Sequence, residues 1–508
     1  VMTHDLTLIS GAGAVPAPTD VFIAQHLING AWVSSASGQT FDRFSPANGQ
    51  LVTQAALGGE AEVEAAIAAA RTAFDDRRWS DTSGKERATF LLKVADLIDA
   101  NRSRIALYET MESGKPIAQA EAEIEGAADI WRFAASLART IHGDSHNTLG
   151  PDMLGVVLKE PIGVVSMITP WNFPFLIVSQ KLPFALAAGC TAVIKPSELT
   201  SATTVILGQL LIEAGLPAGV VNIVLGYGDP VGTNLTNHPD VDMVSFTGST
   251  AVGKAIVAAT SKTLKKVSLE LGGKNPQVIF PDADLDEAAD AIVFGIYFNA
   301  GQCCNSGSRI IVHHDIAAVL IQKIVELSRK VPFGDPLNPS TKVGAIISSQ
   351  HQAKIDGYVK DAVKAGATVA IGGAPLTIDG MSGEFYQPTV VANVTKNMAI
   401  ASEEVFGPVL SVLTFTTFDE ALEIANGGDY GLSAGVWSQD ISTCLKFARR
   451  VQAGTVWTNT WMDGFAELPF GGAKESGLGR ELGHHGMDEY LETKTVQMRI
   501  GKTRSRWV

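Results

Sequence analysis

From Ile162 the chain falls into a rhythm of short apolar strand, turn and helix that few folds accommodate. IGVVSMI reads as a strand, the segment around QKLPFALAAG as a helix, and TAVIKP as the next strand. SATTVILGQLLIEAGLP predicts a helix closed by Gly215 and Pro217, and VVNIVLG and MVSFTG two further strands. STAVGKAIVAAT predicts a helix opened by Ser249 and Thr250, and KKVSLELGG a strand. Strands alternating with helices in this way predict a doubly wound parallel sheet. A second alternating region runs from Arg309 to about Trp457. The predicted class is α/β.

The remaining segments are arranged around those two regions. Residues 1–20 read as a loose leader of Thr, Gly, Ala and Pro. LINGAWV, from Leu27, predicts a strand, an Asn-Gly turn and a returning strand. Glu60 to about Leu137 has helical periodicity, as in EAEVEAAIAAARTAF. HGDSHNTLGPDMLGVVLKEP predicts a hairpin of extended strands, and GMDEYLETKTVQMRI ends in another extended run. A lone terminal strand is marginal and needs a partner edge, here or in another subunit.

With 508 residues the chain exceeds one compact core, so about two or three domains are expected. A net charge of −14 and the absence of any basic run argue against a nucleic-acid partner. The four cysteines, Cys190, Cys303, Cys304 and Cys444, form neither a CxxC pair nor a zinc spacing. No structural metal and no disulfide framework are predicted, which points to a reducing compartment. The N-terminus lacks a basic stretch followed by an apolar core, and no apolar run reaches the roughly 20 residues of a membrane span. A soluble, cytoplasmic protein with no membrane partner is expected.

The chemistry concentrates in FNAGQCCNSGSR, Phe298 to Arg309, and ELGGKNP, Glu270 to Pro276. A thiol and a carboxylate on two turns are what covalent catalysis with a water-activating base requires. A buried cysteine pair beside an ordinary strand-end glutamate is the blander alternative. FTGSTAVG ends a strand at Phe246 and opens a helix at Ser249, with Gly248 at the tight turn, so its free amides suit a phosphate. It is not a GxGxxG motif, and by itself it reads equally well as a plain helix cap. IKPSE places Lys195 and Glu198 after another strand end of the same sheet, at the edge where dinucleotides bind. A carboxylate there accepts both ribose hydroxyls and repels a 2′-phosphate, which favours NAD and leaves NADP as the less favoured cofactor. The alternative is a surface lysine and a helix-starting glutamate. In TPWNFP, Thr169 to Pro174, two prolines fix the backbone around Trp171 and Asn172, and a rigid Asn amide can donate to an oxyanion.

WNFP, KPSE, FTGST, ELGGKNP, GQCC, EEVFGP at Glu403 to Pro408 and PFGG at Pro469 to Gly472, in this order and spacing, resemble the NAD(P)-dependent aldehyde dehydrogenase superfamily from about Leu27 onward. The resemblance implies a Rossmann-like cofactor domain, an α/β catalytic domain and a small β oligomerisation element. It implies Cys304 as the nucleophile, Asn172 with the Cys304 N–H as oxyanion donors, and Glu270 as the base that hydrolyses the thioester. Lys181 and Glu481 would form a proton path. Thr169, Pro170, Trp171, Lys195, Ser197, Glu198, Gly228, Phe246, Gly248, Ser249, Gly272, Glu404 and Phe406 would hold the cofactor. Phe173, Ile177, Gln180, Cys303, Asn305, Trp461, Asp463 and Phe465 would line the substrate tunnel. Gln180, Asn305 and Asp463 are polar, and a polar or hydroxylated aldehyde would satisfy them where a long apolar one would not. GDSHNTLGPDMLGVVLKEPIGVV and the ending GKTRSRWV are similar to bacterial sorbosone-dehydrogenase-like members, which oxidise sugar-derived aldehydes. Solvent-facing polar groups at a tunnel mouth are the alternative, as is a simple aliphatic, aromatic or amino aldehyde.

The predicted division gives residues 1–138 and 162–272 to cofactor binding and 273–487 to catalysis. Residues 139–161 and 488–508 form the oligomerisation element, and the resemblance implies a homodimer or homotetramer in which the terminal strand crosses to another subunit. Two rival classes stand beside this: a non-catalytic, NAD-binding relative, and an acylating or esterase-type enzyme. Glu270 argues against transfer to coenzyme A, since acylating relatives generally lack it. A cysteine-protease reading finds no histidine in either catalytic segment.

Overall fold

A computed structural model of the chain describes residues 6–501 and 507–508. The first five leader residues and positions 502–506 of the C-terminal ending lie outside the described residues.

The strand–helix rhythm after Ile162 builds an eight-stranded sheet. From one edge its order is Gly477–Leu478, Lys266–Glu270, Met243–Thr247, Val164–Ile168, Thr191–Lys195, Val221–Ile223, His26–Ile28 and Ala31–Val33. The five strands from Lys266–Glu270 to Val221–Ile223 are mutually parallel. The Asn-Gly hairpin at Leu27 adds two antiparallel strands at one edge. Val165, Met167, Ala192 and Ile194 join a core with the helices Gly84–Ala100, Ile117–Ala138, Pro174–Ala188 and Ala202–Ala214. Val164, Val193, Val244 and Phe246 point the other way, into a core with Glu60–Asp75 and Thr250–Thr260. Both faces are covered, so the strands are mostly apolar on both sides, with a few buried polar residues such as Ser166, Asn222 and Ser245 among them. Gly215 closes the Ala202–Ala214 helix at φ 99°, a left-handed conformation that a Cβ disfavours.

The second alternating region builds a seven-stranded sheet of order Thr368–Ile371, Thr389–Ala392, Val409–Phe415, Arg309–His313, Pro276–Ile279, Ser433–Trp437 and Thr455–Thr458. Only its first strand is antiparallel to its neighbour.

A third, three-stranded sheet joins Ser145–His146, Met153–Pro161 and Leu491–Arg499. The terminal strand therefore finds its partner inside its own chain, running antiparallel from Leu491 opposite Pro161 to Arg499 opposite Met153. The leader also differs from expectation. Leu8–Ile9 pairs in parallel with Phe333–Gly334, and the Asn338 amide binds the carbonyls of Ser10 and Ala12. Backbone pairing of this kind leaves no periodic sequence signal in a segment of small residues. Among the described residues no helix is long and apolar enough to cross a membrane.

Candidate active site

The helix Leu285–Tyr297 ends against a tight turn in which Asn299, Ala300 and Gly301 all take positive φ, at 50°, 56° and 72°. That turn hands the chain to Gln302, Cys303 and Cys304. Gln302 is locked by its own side chain, which donates to Asn299 O (3.2 Å) and accepts from Ile347 N–H (2.9 Å). Beyond the cysteines, the Asn275 amide donates to the carbonyls of Cys304 (2.7 Å) and Ser306 (2.8 Å), and its oxygen accepts from Ser433 N–H (3.1 Å). Asn275 belongs to ELGGKNP, so the two segments predicted to carry the chemistry are tied together directly. Asn172, just before the helix Pro174–Ala188, is buried and donates to Gln302 O at 3.2 Å.

Glu270 ends its strand and is buried, with neither carboxylate oxygen hydrogen-bonded among the described residues. Gly471 of PFGG makes room for it: a Cβ there would stand 2.6 Å from Glu270 Oε1. Burial, then the neighbouring Glu481 carboxylate, holds the Glu270 carboxyl well above the usual range, against the pull of Lys181. Lys181 is wholly buried, paired with Glu481 and bonded to Ser245 Oγ at 3.1 Å. The hydrogen bond with Cys303 and then burial push the Cys304 thiol well up, with Glu404 and Glu270 adding to the shift. The Glu404 carboxylate lies over the Gly272–Gly273 pair and accepts from Gly273 N–H at 3.0 Å.

The order of the eight-stranded sheet reverses at its central strand, which by topology leaves a crevice there. The chain runs from the central strand Val164–Ile168 outward through Thr191–Lys195 to Val221–Ile223, then returns to the other side at Met243–Thr247. Such a switch point, at the carboxyl ends of the strands, is where open α/β sheets bind nucleotides. Thr169, Pro170 and Trp171 follow the first strand, and Lys195, Ser197 and Glu198 the second, with Lys195 Nζ 3.7 Å from the Glu198 carboxylate. Gly228 is exposed, and an added Cβ would meet nothing within 4 Å. Ser249 caps the helix Thr250–Thr260. The Phe246 ring tucks under Gly248, where a Cβ would come within 2.5 Å of it. Among the described residues the buried hydroxyls of Thr169 and Thr247 have no hydrogen-bond partner. The open Gly228, a capped helix start and orphaned hydroxyls at adjacent strand ends fit a dinucleotide.

The chain matches the Aldehyde dehydrogenase family over residues 32–496. The chain belongs to that family. It is similar to an NAD-dependent aldehyde dehydrogenase from Sinorhizobium meliloti, with TM-score 0.94 and 50% identity, covering 97% of this chain and 99% of that one. It is also similar to the betaine aldehyde dehydrogenase of Bacillus subtilis strain 168, 41% identical over 94% of this chain and 98% of that one. Human retinal dehydrogenase 2 is 41% identical over 99% of this chain and 98% of that one.

For an aldehyde dehydrogenase the substrate side matters as much, and here the predicted residues separate. Phe173, Ile177 and Cys303 join one apolar cluster with Leu176, Phe298 and Met462. The last three were not among the predicted residues. Met462 escapes a motif reading because its neighbour looks the better candidate. Trp461 lies outside that cluster: its indole is buried against Gly295, Gly307 and Gly435, where added Cβ atoms would lie 2.5, 3.2 and 2.8 Å from it. That packing places it in the body of the seven-stranded sheet. Asp463 is exposed and takes the Thr460 hydroxyl, while Phe465 is 59% exposed. Gln180 is half-buried, and Asn305 keeps a buried Oδ1 with no partner among the described residues. Leu176 and Phe298 also line a cavity of about 730 Å³, together with Gln119, Glu123, Phe294 and Tyr297. Phe406, at φ 60°, meets Trp171 edge-on at 5.5 Å, and His351 closes that aromatic group through its bond to Phe406 O (2.7 Å). His351 was not predicted, since a helical histidine carries no signal of its own.

Proposed function

We propose that the protein oxidises an aldehyde to its carboxylic acid with NAD, through a covalent intermediate on Cys304. The observation that carries this is Glu270: a buried carboxylate with both oxygens unpartnered, beside a thiol whose loop is clamped to the same segment. Folding alone does not call for such a group, since an unsatisfied buried carboxyl is costly.

The Cys304 thiolate attacks the carbonyl carbon. The oxygen takes the negative charge and is met by the Asn172 amide and the Cys304 N–H. NAD, when bound in the crevice, supplies the hydride acceptor. Glu198 and Lys195 are placed to hold its adenosine ribose, and the Glu198 carboxylate disfavours a 2′-phosphate. Glu404, beside the Cys304 loop, and Phe406 and Trp171 suit the nicotinamide end. Glu270 then takes a proton from water, the hydroxide adds to the thioester, and the acid departs as the thiolate is regenerated. The paired Lys181 and Glu481 form the buried route by which the proton leaves Glu270. Because Glu270 is present, water is favoured over coenzyme A as acyl acceptor.

The apolar cluster and aromatic cavity favour an aldehyde with an aliphatic or aromatic tail. A hydroxylated or sugar-derived aldehyde is supported by the orphaned Asn305 Oδ1 alone. The same reading divides the chain into a cofactor unit, a catalytic unit and the three-stranded element. Leu8–Ile9 and Gly477–Leu478 are then each paired with the other unit's side. Since Leu491–Arg499 lies at the edge of its sheet, a second copy that covers this edge explains a homodimer or homotetramer. Four free thiols suit a reducing cytoplasm.

The test is NADH formation with short aliphatic, aromatic, amino and hydroxylated aldehydes, using NAD or NADP, with and without coenzyme A. Turnover with NAD alone supports the reading, and turnover only with coenzyme A overturns its hydrolytic half. No turnover with any aldehyde contradicts it.

A further inference from the structure

The helix Ile117–Ala138 makes a contact with the reactive loop that none of the chemistry above uses. Gln119, in its first turn, accepts the Asn299 N–H through Oε1 (3.2 Å) and donates through Nε2 to Glu123 Oε1 (3.0 Å). Lys115 Nζ holds Glu123 Oε2 at 2.5 Å and Glu109 Oε1 at 2.6 Å, and the Lys115 and Glu109 side chains are wholly buried. The same ammonium lies 4.3 Å from the centre of the Phe173 ring. A fixed ion cluster thus anchors both Gln119 and the residue that follows Asn172.

Asn299 is the first of the three left-handed residues that lead into Gln302 and Cys304, and it and Ala300 carry a Cβ that this conformation crowds. Such a turn persists only where its surroundings hold it. The Asn299 side chain donates to the carbonyls of Asn172 and Gln302, both at 3.1 Å. The hydrogen bonds therefore run unbroken from the ion cluster through Gln119 and Asn299 to the backbone of Asn172.

We infer that Gln119 is a positioning residue for the oxyanion site, holding the Asn299 turn so that the Asn172 amide and the Cys304 N–H stay aligned on one oxygen. This rests on the aldehyde-oxidising reading above. Gln119 need not touch the reacting atoms, and its effect passes through Asn299 and Asn172. Catalysis is sensitive to such alignment, since small displacements of a positioned group cost up to about 10²-fold in rate.

The test is a double-mutant cycle, Gln119→Leu in the wild type and in Asn172→Ala, read by the pre-steady-state NADH burst with propanal, whose tail is short. Gln119→Leu is expected to slow the burst about tenfold with KM changed less than about twofold. In the Asn172→Ala protein it should cost clearly less, since only the Cys304 N–H is then left to align. Gln119→Glu keeps the acceptor for Asn299 N–H but replaces the donor to Glu123 with a second carboxylate, so it should recover little of the rate. NAD titration and thermal melting confirm that each variant is folded, and Gln119→Ser on the same two backgrounds replaces the Leu variant if that does not fold. An equal loss on both backgrounds, an unchanged burst, or a loss confined to KM overturns the inference. Absence of turnover in the wild type overturns it together with the aldehyde-oxidising reading, whereas the other results leave that reading standing.

Discussion

The crevice at the switch point of the eight-stranded sheet and the cavity lined by Leu176 and Phe298 are built by different means. The crevice is made by backbone. Adjacent parallel strands end there, and the short contiguous segments at Thr169, Lys195 and Gly248 lie at those ends. The cavity is made by side chains of helices distant in sequence: Gln119 and Glu123 from one, Leu176 from a second, Phe294 and Tyr297 from a third. A binding site assembled from strand ends depends on topology and on a few small residues, so it tolerates little change. A site assembled from side chains can be reshaped one residue at a time. The contrast predicts that cofactor and aldehyde preference can be altered separately, with Cys304 as the point where the two sides meet.

The largest effect should come from that meeting point. Cys304→Ala is expected to lower turnover by at least about 10³-fold while NAD still quenches tryptophan fluorescence with unchanged affinity. Loss of NAD binding as well would mean that the two sides are not separable. Asn172→Ala should slow the NADH burst by about 10²–10³-fold, the usual cost of one oxyanion donor. Glu270→Gln should keep the burst and slow steady-state turnover by about 10²-fold. A lost burst with normal thioester hydrolysis would assign Glu270 elsewhere.

Smaller effects separate the two sides. Glu198→Gln should raise KM for NAD and narrow the preference over NADP by about tenfold, with aldehyde preference unchanged. Leu176→Trp, which fills the cavity beside Phe298, should penalise aromatic aldehydes and leave propanal nearly untouched. If both aldehydes lose equally, the cavity is not the aldehyde's path.

The pH dependence follows from the same burial. Glu270 and the Cys304 thiol are both held above their usual ranges, and each acts deprotonated, so kcat should climb as pH rises from neutral into the alkaline range. A rate that falls with pH there would contradict both roles. The smallest effect concerns stability. Burial lowers the His351 imidazole to about 4, so the unfolded chain binds the extra proton first. Stability should therefore fall as pH drops from about 6.5 toward 4, and His351→Gln should flatten that part of a Tm-against-pH curve.

The same contrast explains what the sequence made legible. The parallel sheet was readable because both its faces are buried, which gives short apolar cores such as AVI in TAVIK. Cys304, Glu270 and Asn172 were readable because each sits in a turn of unusual composition. The structure brings these segments together through the clamp of Asn275 and the bond from Asn172 to Gln302. The cavity was not readable. Trp461, the more conspicuous aromatic residue, fills a notch left by three glycines from separate elements, and no local pattern announces such a notch. Met462, next to Trp461 in sequence, packs in the cluster with Cys303. Gln119 lies on an ordinary helix, and only the fold reveals that it meets the Asn299 turn. The pairing of Leu8–Ile9 with Phe333–Gly334 is a contact between backbones, which side-chain patterns do not encode.

The most direct test is to trap the intermediate. Glu270→Gln protein would be mixed with NAD and an aromatic aldehyde, quenched in acid, digested and mapped by mass spectrometry. The mass of the acyl group should appear on the peptide containing Cys303 and Cys304, with fragmentation placing it on Cys304. Its absence while NADH forms, or its placement on Cys303, would contradict the account.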